Sequence, residues 1–525
     1  DGERGVGLAR DGAEAHRPGG EALDDLARRL DLLERDRGVG ELEFHQSADG
    51  QQPTRLVVDG AREGGVFLNF GGASPALYSE PVEARVLEPG GELAFGKTRY
   101  HFYEGLWRRG SYMFREHMSS LGHTFPDDYD PPVNWNELYN IGWHHNNREA
   151  LARHYNLETL EREAERARDI GCGMLYLDPG WEVCEGGTTW DEERLGDVRS
   201  FVEHIKQDYG LKVGFRTIGR SYCDEYQGMY RRRLDGSIGY YAPFHPKPFY
   251  EPCFCNPRYQ EEKLRRILKI ASAGMDFIMF DEFDWRGPCY DTSHGHPVPT
   301  TPNMHAQAVM GMARRVHEAY PHILIEAHDP VWPWGVRYLP AYYLHGQGHT
   351  FDEGWAFEFM WNPLEDLLSG TALSLFYYNL GYDLPLYLHI NMDNDNDNCL
   401  AFWWFASTAR HLGIGGGASN EKRYQAYKQA MSEYLPLKDL YSRGTFYGID
   451  ELTHIHVLPE VGRCVLNAYN LTDTPVSRDV DVRLNDLGLM EDVRVSGAPY
   501  EVVRGRLVLH LDIPPFSPVL VKMLA

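Results

Sequence analysis

The stretch LETLEREAERARDIGCGMLYLDPGW, residues 157–181, carries the fold in miniature. In its first half Leu157, Leu160, Ala164, Ala167 and Ile170 recur at helical spacing with charged residues opposite, which predicts an amphipathic helix. In its second half GMLYL is a short continuous apolar run that stops at Asp178 and Trp181. A one-sided helix followed by a strand buried on both faces is the repeating unit of a helix-covered parallel sheet.

The same alternation runs outward, from about Pro132 to Gly417. The strand-like runs are VNWNELY (133–139), GMLYLDPGW (173–181), KVGFRT (212–217), FIMFDEF (277–283), HILIEAH (322–328), YYLHGQG (342–348), ALSLFYYN (372–379) and PLYLHINM (385–392). Helical patterns lie between them, among them GDVRSFVEHIKQDYG, QEEKLRRILKIASAG and NMHAQAVMGMARRVHEAY. This alternation predicts an α/β fold, a (β/α)8 TIM barrel over residues 111–418, with run 372–379 readable equally as helix. A doubly wound sheet is the competing fold, but no Gly-rich phosphate fingerprint follows the first strand. Upstream, ELEFHQ, TRLVVDG and VFLNFGG alternate between turn residues, which predicts a β-sandwich remnant at 40–110. Residues 1–39 read as a disordered or truncated segment, in which DDLARRLDLLERD (24–36) could form a short helix. Downstream, 419–525 read as a helix, EKRYQAYKQAMSEYL, followed by an antiparallel β-sandwich built from THIHVLP, RCVLNAYN, DVDVRL and RLVLHLDI.

The chain has 525 residues and a formal net charge of -25, which argues against nucleic acid and anionic membranes as partners. No run of 18 or more apolar residues predicts a membrane span. Aromatic residues make up 13%, with 12 Trp and 32 Tyr, and suit either a large core or stacking on the flat faces of sugars. Cys253 and Cys255 are separated by one residue rather than two, so no zinc or thioredoxin-type motif is expected of them. The Cys residues read as reduced and buried, which suits a cytoplasm.

In a barrel of this kind functional groups project from the C-terminal strand ends. Those ends carry Asp178 and Trp181, then Arg216, then Asp281, Glu282, Asp284 and Trp285, then Glu326, His328 and Asp329, then His349, Asp352 and Glu353, and last His389 and Asn391. Each alone has a structural explanation as a helix cap or a satisfied core group. Carboxylates at several strand ends of one barrel converge on one mouth, and glycosidic bond cleavage gives their repulsion a use. One carboxylate attacks or acts as base while the other stays protonated for the leaving oxygen. No HExxH motif appears, and His144–His145 reads as a polar loop, so no metal site and no cofactor are expected. The run MDNDNDN (392–398) reads as a solvated or sugar-contacting loop, with calcium as the lesser alternative.

From about Leu87 onward the residues resemble glycoside hydrolase family 36, the α-galactosidase or melibiase group. The resemblance rests on LEPGGELAFG (87–96), NWNELYN (134–140), LYLDPGW (175–181), CNP (255–257), DFIMFDEF (276–283), HTFDEG (349–354) and HIN (389–391). It implies a retaining α-glycosidase with Asp281 as nucleophile and Asp352 as acid/base, Glu353 and then Glu358 being the nearest substitutes for the latter. On that mechanism Asp178, Arg216, Glu282, His328, Glu353 and His389 contact sugar, and Trp135, Trp181 and Trp285 either form stacking walls or pack in the core. The sequence departs from the family pattern where a Lys before the nucleophile is Met279, where the second Asp of a pair is Pro179, and where AHDPVWPWG (327–335) replaces a Cys-Ser-Gly-Gly-Gly segment. The expected partner is an oligosaccharide or glycoside, with no nucleic acid and no membrane, and the β-domains leave a homo-oligomer open. A transglycosidase, a hydrolase of another sugar and a non-catalytic sugar-binding protein remain as alternative readings.

Overall fold

The computed structural model describes residues 107–120, 129–222, 225–241, 249–283, 285–328, 341–343, 361–381 and 386–524, with shorter pieces at 42–44, 54–59, 67–72 and 89–90. The chain divides into two compact units, and the strands β1 (Leu42–Phe44), β2 (Thr54–Asp59) and β3 (Phe67–Gly72) belong to the first. They pair antiparallel in the order β1-β2-β3, as the alternation in ELEFHQ, TRLVVDG and VFLNFGG predicts. The helix expected at 24–36 lies outside the described residues.

In the second unit, the helix–strand pair that opened the sequence forms as read. The helix Leu157–Ile170 starts at Asn156, whose side chain accepts from Thr159 N at 3.1 Å while Thr159 Oγ1 accepts from Asn156 N at 3.2 Å. It ends at Gly171, which takes the left-handed conformation at φ 93°. Its buried stripe of Leu160, Ala164, Ala167 and Ile170 faces the sheet. β5 (Met174–Leu177) follows, buried at every position.

Eight strands pair in parallel and close on themselves. They are β4 (Asn134–Asn136), β5, β6 (Lys212–Ile218), β9 (Phe277–Asp281), β10 (Leu324–His328), β11 (Ala341–Tyr343), β12 (Leu386–Asn391) and β13 (His411–Gly415). A short antiparallel ribbon, β7 (Tyr240–Tyr241) and β8 (Phe249–Tyr250), stands between β6 and β9. Helices are described between successive barrel strands except between β10 and β11, where residues 329–340 lie outside the described set. Residues 371–381 take the helical alternative left open for run 372–379. One expectation is corrected: the last barrel strand is His411–Gly415, which the sequence reading passed over. His389 therefore sits on the seventh strand in chain order, not the eighth.

The barrel interior is aromatic. Tyr176, Phe277, Tyr387 and His411 meet there, with Tyr387 and His411 ring centroids 4.7 Å apart and Tyr176 edge-on to Phe277 at 5.5 Å. Room for these rings comes from glycine: a Cβ on Gly214 would lie 2.8 Å from Phe277 Cβ, and one on Gly413 would lie 2.7 Å from His389 Cβ. Glu326 and His411 form a buried pair at 2.5 Å. Burial drives the Glu326 carboxyl well up and the His411 imidazole down to about 3, so both are held neutral there.

After the helix Glu421–Tyr434 the chain builds a five-stranded antiparallel sheet from β14 (Thr445–Asp450), β15 (Thr453–Leu458), β16 (Arg463–Asn470), β21 (Ser517–Leu524) and β18 (Arg494–Ser496). A three-stranded sheet holds β17 (Val476–Arg483), β20 (Arg506–Ile513) and β19 (Tyr500–Val503). The two share a buried apolar cluster that includes Val457, Leu466, Val480, Leu509 and Val521.

The acidic run after β12 is tied to the backbone and cations around it. Asp395 is buried and accepts from Ala401 N and Phe402 N at 3.0 Å each, capping the helix Leu400–Thr408. Asp397 pairs with Arg423 at 3.1 Å, and Asp393 accepts from Gly417 N at 3.0 Å. Asp393 and Asp395 thus serve the fold, while Asn394, Asp397 and Asn398 are exposed, so the run is in part the solvated loop expected of it. No helix among the described residues is long and apolar enough to cross a membrane.

Candidate active site

The centre of the site is a cation. Arg216 projects from β6 and is buried; its guanidinium meets Glu185 at 2.6 Å, Asp281 at 3.0 Å and Asp178 at 3.5 Å. These acids come from the loop after β5, the end of β9 and the end of β5, so three neighbouring strand ends supply one ionic cluster. Burial works against the charge of Arg216, but the fields of Asp281, Glu185 and Asp178 outweigh it and hold the guanidinium ionised. The register of β6 against β9 sets Arg216 opposite Met279 and Ile218 opposite Asp281. A buried thioether thus occupies the position two residues before Asp281, and positive charge reaches Asp281 from the adjacent strand.

The three acids differ in environment. The Asp281 side chain remains 13% exposed, against 7% for Asp178 and 3% for Glu185. Burial pushes Asp178 up to about 6, opposed by Arg216 and reinforced by Asp281. Burial acts on Glu185 too, but hydrogen bonding from His145 and the charge of Arg216 prevail, and its pKa is lowered. His145 Nδ1 lies 2.9 Å and Trp143 Nε1 3.3 Å from the Glu185 carboxylate, and the Trp143 ring covers the Arg216 guanidinium at 5.4 Å. Trp143 is 37% exposed, so it forms a wall of the mouth.

A second, neutral network joins at Asp178. Leu138 N donates to Asn136 Oδ1 at 2.9 Å, which fixes the amide. Asn136 Nδ2 then donates to Asp178 Oδ2 at 2.8 Å and to His389 Nδ1 at 2.6 Å. With Nδ1 accepting, the His389 ring proton belongs on Nε2. Tyr139 OH also reaches His389 Nδ1 at 3.0 Å, and its ring packs edge-on against Trp361 at 5.4 Å, a second exposed Trp. Beneath, Glu137 accepts from Tyr155 OH at 2.9 Å and from Asp178 N at 2.8 Å. Burial and the nearby Asp178 raise its pKa well above the usual range.

Glu282 follows Asp281 in the left-handed region, at φ 52°, and pairs with Arg220 at 3.2 Å. It lines a small pocket together with Trp285, Arg220, Arg231 and Glu251. Arg231 grips Glu251 through two nitrogens, at 3.1 and 2.6 Å.

The expected residues separate into groups. Asp281, Arg216, Asp178 and His389 converge on one network, while Glu282 and Trp285 line the adjoining pocket. Trp135 and Trp181 are corrected as stacking walls: both are fully buried. Trp135 donates to Glu163 of the helix Leu157–Ile170 at 2.9 Å, and Trp181 packs on Trp190 and Phe215. The side chain of His328 lies outside the described residues, as do Asp352 and Glu353. Missed from sequence were Trp143, Glu185 and Trp361. The signal for Trp143 was an aromatic beside two His in the loop directly after the first strand; Glu185 stands in a long loop with no such marker, and the sequence around Trp361 offers none either.

No protein-family model matches the chain, and no curated protein matches its sequence. Its fold is shared with solved carbohydrate enzymes. An α-galactosidase from Lactobacillus brevis aligns with a TM-score of 0.56 at 16% identity, over 80% of this chain and 58% of that one. A variant of the family 36 α-galactosidase AgaA from Geobacillus stearothermophilus, in complex with raffinose, gives 0.58 at 13% identity, over 80% and 59%. The α-amylase from Geobacillus thermoleovorans, complexed with acarbose, gives 0.50 at 12% identity, over 75% and 98%. The chain spans about three-fifths of the length of the two α-galactosidases. The resemblance to glycoside hydrolase family 36 therefore extends from short motifs to the fold.

Proposed function

We propose that the chain is a retaining α-glycosidase on a (β/α)8 barrel with a C-terminal β-sandwich, cleaving O-glycosidic bonds by double displacement. The observation that carries this reading is Asp281 at the end of β9, partly exposed and held by Arg216 at 3.0 Å. An adjacent guanidinium favours the ionised carboxylate, which is the form a nucleophile needs. Asp281 attacks the anomeric carbon and forms a glycosyl ester as the bond to the leaving oxygen breaks. Asp352 gives that oxygen a proton, then takes one from the water that opens the ester. The two carboxyl groups would stand about 5–5.5 Å apart for retention. Asp178 and His389 bind hydroxyls in the site, Glu282 and Trp285 serve the adjoining pocket, and Glu353 and His328 also contact sugar. Trp143 and Trp361 take over the stacking role at the mouth.

The test is turnover on a panel of nitrophenyl α-glycosides, with NMR of the first-formed anomer. Wild type should hydrolyse at least one of them with retention, and Asp281→Ala should fall to background while remaining folded. Full activity in Asp281→Ala removes the proposed nucleophile. Sugar-induced thermal stabilisation with no turnover in the wild type marks a binding protein instead.

A further inference from the structure

Two cysteines and two histidines that play no part in this chemistry meet beside the pocket. Cys253 Sγ lies 3.3 Å from His296 Nε2, and Cys289 Sγ lies 3.5 Å from His294 Nδ1. The four ligating atoms all fall within 4.8 Å of one another. We propose that Cys253, Cys289, His294 and His296 bind one zinc ion, which ties the loop after β9 to the segment that leads into the helix Pro257–Ala271. This proposal does not rest on the glycosidase reading.

The geometry matches the ion. Zinc sits about 2.3 Å from sulfur and about 2.0–2.1 Å from nitrogen, so the edges of a tetrahedral site are roughly 3.3–3.8 Å. The two sulfur–nitrogen separations, 3.3 and 3.5 Å, fall on that scale. Two thiolates and two imidazoles select zinc over oxygen-seeking cations, and four protein ligands make a closed, structural site. The thiolates also neutralise a divalent ion, which suits a place where Cys253, Cys289 and His294 are buried.

The surrounding groups orient the ligands as a metal site requires. His296 Nδ1 lies 2.9 Å from the Pro297 carbonyl, which takes its proton and leaves Nε2 to face Cys253. His294 turns Nδ1 toward Cys289, and its Nε2 lies 3.4 Å from Asp291. Asp291 also accepts from Ser293 N at 2.8 Å and so fixes the turn that carries His294. Arg232 N points at Cys289 Sγ from 3.4 Å, a donor suited to a thiolate. Hydrogen bonds hold each cysteine's backbone in place without the ion, Cys253 N to Met229 O at 2.8 Å and Cys289 N to Thr300 Oγ1 at 2.7 Å. In the sequence the ligands read Cys253, then Cys289-Tyr-Asp-Thr-Ser-His294-Gly-His296, a spacing hidden by the long gap after Cys253. Bound zinc would brace the wall of the pocket that Glu282 and Trp285 share with Cys253 and Cys289.

The experiment is elemental analysis of the full chain, purified with reductant and without chelator from zinc-supplied cells. About one zinc per chain is expected. Cys289→Ser combined with His294→Ala should reduce it to background, while Cys255→Ser, which removes a nearby sulfur outside the set, should keep it. Because the double variant could misfold, wild-type protein stripped of metal is also titrated with Co2+. One equivalent should give tetrahedral visible bands and a near-ultraviolet thiolate transition, both erased by zinc. Three results overturn the proposal: neither zinc nor a cobalt spectrum with thiols reduced, a Cys253–Cys289 disulfide in freshly isolated protein, or equal metal loss in Cys255→Ser.

Discussion

Asp178 and Glu182 are carboxyl groups that the fold makes reluctant to ionise, and the reluctance has a measurable sign. Burial raises Asp178 from 3.8 to about 6 and Glu182 from 4.5 to about 7. Each folded value lies above its unfolded one, so the folded chain holds these protons more tightly. The resulting stabilisation is complete below the unfolded values and is lost as pH rises through the folded ones. At about 1.4 kcal/mol per unit, each group contributes on the order of 3 kcal/mol. Urea unfolding at a series of pH values should show the difference between Asp178→Asn and wild type changing up to about pH 6, and that for Glu182→Gln up to about pH 7. Differences that stay flat across that range would show that neither group titrates as described. At this scale the polar half of the site was legible, because Asp178, Arg216, Asp281 and His389 stand at strand ends, where barrel geometry makes side chains converge. The aromatic half was not. Asn134 and Asn136 turn toward His411 and His389, so the two-residue period sends Trp135 outward to the helix. A Trp near a strand end looks the same in sequence whether it faces the mouth or the helical layer.

The ends of β6 and β9 meet at a glycine. Gly219 N donates to Asp281 O at 2.7 Å, and a Cβ at position 219 would lie 2.5 Å from Glu282 O and 2.8 Å from Phe254 Cζ. Gly219→Ala should push the two ends apart, at a cost of about 1–3 kcal/mol. Since those ends carry Arg216 and Asp281, kcat on an active glycoside should fall further than the thermal midpoint alone explains. A variant with wild-type kcat and midpoint would show that this approach is not tight. Close approach also explains the element that the sequence reading missed. β13 reads HLGIG because a Cβ on Gly413 would strike His389, and one on Gly415 would lie 2.2 Å from Asn136 O. Glycines demanded by neighbours erase the apolar run by which a strand is recognised. The run ALSLFYYN is ambiguous for the opposite reason: its residues are apolar on nearly all sides, and the helix Ser374–Gly381 is buried on most of its faces, which leaves no period to tell helix from strand.

The barrel and the C-terminal strands share one interior. The apolar cluster that holds Leu175, Phe215 and Phe277 continues through Phe402 and Trp404 to Leu440, Val465 and Tyr469. Polar contacts lock the same boundary: Ser407 Oγ lies 2.9 Å from His454 Nδ1, His456 Nε2 lies 2.8 Å from Ser407 O, and Tyr469 OH donates to Trp403 O at 2.7 Å. Barrel and C-terminal sheets should therefore melt together, and limited proteolysis should release no stable barrel ending near residue 443. A protease-resistant fragment with that end and a cooperative transition of its own would contradict this. The helix Leu400–Thr408 explains why. Its sequence LAFWWFAST is buried at every position, and it packs against both β16 and β21. The last of those strands leaves the ribosome more than a hundred residues after the helix does. During synthesis this greasy segment emerges before its partner strand is made and must be shielded, by a chaperone or by other parts of the chain, until that strand arrives. Packing around this helix is thus completed late, and the chain's yield in a cell should depend on what shields the segment in the interval.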